Sequence, residues 1–85
     1  MAHVESKYLD FCVYPPAYGR KTVEVDVRSK SSDFRLGTIH WYGPWRQYTF
    51  SPNDGTTFNK ACLREIASYC EQLTQEHRTA AKEQP

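Results

Sequence analysis

The sequence predicts an α+β domain: a four-stranded antiparallel meander with one C-terminal helix packed on one face (ββββα). Three observations carry that expectation. Thr22-Val23-Glu24-Val25-Asp26-Val27-Arg28 sets valines against polar and charged residues in strict alternation, the period of a strand with one face buried and the other in water. Two runs of strand-forming residues meet at Gly43-Pro44, between Leu36 and Phe50, which marks a β-hairpin. Cys62, Leu63, Ile66, Tyr69, Cys70 and Leu73 recur at helical spacing and draw one apolar stripe. A small sheet with one apolar face needs a covering layer, and this helix supplies it.

Taken in order, strands are expected over about 7–14, 21–28, 34–42 and 45–51, and a helix over about 59–79 with a frayed C-terminus. In the first strand Leu9, Phe11 and Val13 alternate with Asp10 and Cys12, and Pro15-Pro16 ends it because proline donates nothing to a ladder. A polar connection, Ser29-Lys30-Ser31-Ser32-Asp33, leads to the hairpin. If Gly43-Pro44 is a two-residue II′ loop, Tyr42 pairs with Trp45 and Trp41 with Arg46. Gly37, Ile39, Trp41, Arg46, Tyr48 and Phe50 then share the core face, with Phe50 over bare Gly37 and the Arg46 guanidinium on Trp41. The other face collects Leu36, Thr38, His40, Tyr42, Trp45, Gln47 and Thr49. Ser51-Pro52-Asn53-Asp54-Gly55 is a turn, and Thr57 or Asn59 caps the helix.

Size and charge narrow the function classes. Eighty-five residues form one domain, with a thin core that leans on its aromatic residues, 14% of the chain. Eleven basic and ten acidic residues leave a net charge of +1, so there is no global pull toward nucleic acid or anionic membrane. No apolar run is long enough to span a bilayer and the start lacks a signal peptide, so a soluble, cytoplasmic protein is expected. Cys12, Cys62 and Cys70 include no C-x-x-C pair, and His3, His40 and His77 are scattered, so neither a disulfide framework nor a metal site nor any other cofactor is expected.

Two resemblances bear on function. The strand order with its terminal helix is similar to the repeat unit of PUR-type and Whirly-type single-stranded nucleic acid binders, a likeness of architecture without a shared motif. The run Gly37-Thr38-Ile39-His40-Trp41-Tyr42-Gly43-Pro44-Trp45-Arg46-Gln47-Tyr48-Thr49-Phe50, of pattern G-x-I-x-W-Y-x-x-W-R-Q-Y-x-F, with Phe58-Asn59-Lys60 and Cys62-Leu63 after it, resembles small uncharacterised bacteriophage proteins. That resemblance implies a viral accessory protein working in a bacterial cytoplasm, and it carries no assigned activity.

The expected function is therefore a non-enzymatic protein-binding module that occupies or inhibits a host bacterial protein or defence complex, a class that includes anti-CRISPR-like roles. Tyr42, Trp45, His40 and Gln47 would supply the contact face, and Arg35, Arg20 and Lys21 a charged rim, the residue types that dominate interface energies. The alternative is a single-stranded DNA or RNA binder, with bases on Tyr42 and Trp45 and phosphates on Arg20, Lys21, Arg28, Lys30 and Arg35. Pairing with a second copy through the open face or a sheet edge is a third use of the same surface. An enzyme ranks last: His40 lacks an evident nucleophile and orienting partner, although a Cys12–His40 pair is geometrically imaginable.

Overall fold

The computed structural model describes residues 3–5, 8–16, 21–32 and 34–83. Its strands are β1 (His3–Glu5), β2 (Leu9–Tyr14), β3 (Glu24–Ser29), β4 (Arg35–Tyr42) and β5 (Gln47–Pro52), followed by helix α1 (Lys60–Glu83). Neighbours in sequence are neighbours in the sheet, and every pairing is antiparallel. The expected four-strand meander and C-terminal helix are present, and the three residues of β1 add a short strand outside β2.

Alternation sorts the side chains. Leu9, Phe11, Val25, Val27, Ile39 and Tyr48 point to one side and are buried beneath Ile66 and Tyr69 of α1. Phe11 stacks on Tyr69 with ring centroids 4.5 Å apart, and Phe50 meets Phe58 edge to face at 5.3 Å. Asn59 is the helix cap: its Oδ1 accepts the Cys62 N–H at 2.8 Å, satisfying a donor that the first helical turn leaves without a backbone partner. The helix also closes the open edge of β5. Thr74 is buried and its hydroxyl accepts the Tyr48 N–H at 3.0 Å while donating to the Cys70 carbonyl at 2.8 Å.

The central hairpin departs from the expected register. Gly43–Trp45 form a 3-10 turn and Arg46 follows in the left-handed region (φ 52°, ψ 48°), its N–H on the Gly43 carbonyl at 3.1 Å. Tyr42 therefore pairs with Gln47, Trp41 with Tyr48 and Ile39 with Phe50. The fixed φ of Pro44 suits a helical turn as well as a II′ turn, and here it starts the longer loop. Four loop residues instead of two move each partner by two positions, and an even shift keeps every strand residue on its own face. Arg46 alone is displaced from the core face, and the ring over Trp41 is that of His77, 4.4 Å away.

A second correction lies between β3 and β4. Val27 pairs with Gly37 but Arg28 pairs with Arg35, so Leu36 is an extra residue in β4. The bulge turns Leu36 to the helix side, where it packs against the core, and leaves Arg35 on the open face beside Arg28. Strict alternation had placed Leu36 on the open face.

Candidate interaction surface

The open face ends in an aromatic pair at the hairpin tip. Tyr42 closes β4 and Trp45 closes the 3-10 turn, and their rings meet edge to face at 4.9 Å and 76°. Trp45 is 65% exposed and Tyr42 39%. In a chain this short large aromatics are wanted for burial, and Trp45, held outside the core on a stiff turn, is with Phe34 (63% exposed, just before β4) one of the two most exposed large apolar side chains among the described residues. Gln47 lies exposed beside the pair, directly across from Tyr42.

His40 sits further along β4 on the same face and is half-buried. Its Nδ1 contacts the Trp41 carbonyl at 3.3 Å and its Nε2 contacts the Ser51 hydroxyl at 2.8 Å. With Nδ1–H donating to the carbonyl, Nε2 accepts from Ser51. The imidazole is thus fixed in one orientation, as a contact residue should be. A serine held by an oriented histidine is also the start of a nucleophile–base arrangement, and it was invisible in the sequence because the partner comes from β5. Neither of the two grooves described below is lined by His40 or Ser51. The imagined Cys12 partner is out of reach, because β3 stands between β2 and β4 and places their axes about 10 Å apart.

On this face two guanidiniums share one carboxylate. Asp26 on β3 takes Arg28 at 3.5 Å, Arg35 at 3.9 Å and the Tyr14 hydroxyl at 3.1 Å. Arg35 reaches Asp26 only at the long limit of an ion pair, and its side chain remains about half exposed, at 53%. Lys21 is exposed on the segment before β3, outside the ladder, and Arg20 lies outside the described residues. The structure brings Tyr42, Trp45 and Gln47 together, sets His40 beside them, and ties Arg35 to a separate cluster around Asp26.

Two shallow grooves flank the sheet. One, about 320 Å³, runs between β5 and α1 and is lined by Gln47, Tyr48, Cys70, Glu71, Thr74, Gln75 and Arg78. Burial, with Glu71 adding to it, pushes the Cys70 thiol up to about 11, so at neutral pH it is a protonated apolar group rather than a nucleophile. Burial likewise raises Tyr48 and Tyr69 above the ordinary phenol range. The other groove, about 250 Å³, is lined by Leu36, Phe58 and Cys62 among others at the far end of the sheet. Among the described residues no group of three His, Cys, Asp or Glu side chains is placed to hold a metal ion, and no helix is long and apolar enough to cross a membrane.

The chain is 38% identical over 60 residues to an uncharacterised 9.3 kDa protein of Acholeplasma phage L2, a match that covers 71% of this chain and 77% of the phage protein. No family model matches the chain. No solved structure matches it either, so the PUR-type and Whirly-type likeness rests on strand order alone.

Proposed function

Since the chain belongs to the family of that small phage L2 protein, we propose that it is a phage accessory protein, a non-enzymatic module that binds, and by binding inhibits, a protein of the bacterial host in its cytoplasm. The observation that carries this reading is the Tyr42–Trp45 pair, two rings in mutual contact with one of them mostly in solvent. Tryptophan and tyrosine dominate interface hot spots because they bring large rigid area at little entropic cost. His40 and Gln47 add polar contacts next to the rings.

Single-stranded nucleic acid binding uses the same rings and is the second reading. The pairing of Arg28 and Arg35 with Asp26 disfavours it, since those guanidiniums were to have met phosphates. Affinity capture from host lysate with the tagged protein, with and without nuclease, tests the choice. A stoichiometric protein partner that survives nuclease supports the first reading. Loss of all captured material with nuclease, or binding that weakens steeply with salt, supports the second.

A further inference from the structure

We propose that Arg46 and Arg78 form a carboxylate clamp beside the aromatic pair, so that the partner segment docking at the hairpin tip is an extended protein strand bearing an acidic side chain. The inference rests on the interface reading above and names the chemistry of its partner. Arg46 is the only non-glycine residue with positive φ among those described, at a loop position that favours glycine or asparagine because they lack the Cβ clash or offset it locally. Its side chain is exposed and not used in the core, so nothing in the folding of the hairpin calls for arginine there. The Arg78 guanidinium arrives from the helix, Nη2 at 3.5 Å from the Arg46 carbonyl. Two arginines thirty-two residues apart in sequence are thereby brought together, the Arg78 guanidinium on the backbone of the residue that follows Trp45, and neither forms an ion pair among the described residues.

The adjoining groove gives the site direction. Along α1 its lining residues Glu71, Thr74, Gln75 and Arg78 occupy one face, with Arg78 at the hairpin end and Glu71 about 10 Å away along the helix axis. An acidic group is therefore favoured at the tip and disfavoured at the far end, which fixes which way a segment lies. The amides of Gln47 and Gln75 suit the N–H and C=O groups of a peptide backbone. Guanidinium forks match carboxylates in a bidentate manner. Two forks suffice for one carboxylate, whereas a nucleic acid strand asks for a line of cations, and Arg28 and Arg35 lie away from the tip, in the separate cluster around Asp26.

The test is a two-dimensional NMR titration of the full chain with three probes: a capped peptide of alternating Glu and Tyr, its Gln-for-Glu counterpart, and oligo(dT). The Glu peptide is expected to shift the Trp45 indole and the Arg46 and Arg78 side-chain signals, and the Gln peptide to bind at least about tenfold more weakly. R46G is expected to lose the Glu peptide's advantage while melting at the wild-type temperature or above it, since glycine relieves the backbone; R78Q should lose part of it. Equal binding of the two peptides, no shift with either, undiminished Glu preference in R46G, or oligo(dT) binding at these signals as tightly as the Glu peptide would each overturn the clamp. If R46G captures the host protein as the wild type does while Trp45→Ala captures nothing, the interface reading survives and the clamp alone fails.

Discussion

Thr74 and Cys70 illustrate how single side chains hold the helix to the sheet. The Thr74 hydroxyl stands in for the missing neighbour strand of β5 by taking the Tyr48 N–H. Thr74→Val keeps the shape and removes the acceptor, leaving a buried donor unsatisfied, so equilibrium denaturation should show a loss of about 1–2 kcal/mol. Cys70, Tyr48 and Tyr69 all carry raised pKa values from burial. For an acid raised in the folded state, the unfolded chain gives up its proton first, so the stabilisation is whole below the unfolded pKa and is lost as pH rises toward the folded one. The thermal midpoint should accordingly be level up to about pH 9 and fall between 9 and about 11, the span over which Cys70 is shifted. A Cys70→Ala protein should show a shallower decline over the same range.

At the scale of elements, Gly37 of β4 leaves no room for a side chain against β5. A Cβ there would lie 2.5 Å from the Ser51 carbonyl oxygen and 2.7 Å from the Phe50 ring. Gly37→Ala must push backbone aside and should cost about 1–3 kcal/mol, read as a lower denaturation midpoint. The sequence pattern made the packing of Phe50 over Gly37 legible, and with it the face of the hairpin's strand residues from Gly37 onward, because there faces depend only on parity. The loop length was not legible: Gly-Pro serves a II′ turn and a 3-10 turn alike. The Leu36 bulge left no mark in a run that alternates plausibly either way. On the helix, the apolar period ends at Leu73, yet the contact continues through Thr74 to His77 and on to Arg78. Those residues hold the hairpin by hydrogen bonding and ring stacking, which hydrophobic periodicity does not register.

Over the whole molecule the two faces of the sheet do different work. The helix side concentrates burial in Leu9, Phe11, Val25, Val27, Ile39 and Tyr48 under Ile66 and Tyr69. The open side is polar, internally paired around Asp26, and apolar chiefly at its hairpin end. The faces of His40, Tyr42 and Gln47 follow from the hairpin's parity, whereas Trp45 was expected in a strand and lies in the loop, so only its residue type singled it out. Arg46 and Ser51 could not be named from sequence, since their settings depend on the true loop and register. The same division separates the two tryptophans. Trp41 is wedged between Tyr48, at 5.4 Å, and His77, at 4.4 Å, and its truncation should remove about 3 kcal/mol, a large share of a small domain's stability. Trp45 touches Tyr42 and little else of the core, so its loss should leave folding nearly intact.

The most direct test of the tip as the working surface measures thermal midpoint and nuclease-resistant capture of host protein on Trp41→Ala and Trp45→Ala side by side. Trp41→Ala should melt about 10 °C or more below the wild type. Trp45→Ala should melt within about 3 °C of it and fail to retain the partner, as removal of a hot-spot aromatic costing ~2 kcal/mol or more would bring about. A Trp45→Ala protein that is folded and captures the partner as the wild type does would contradict the account.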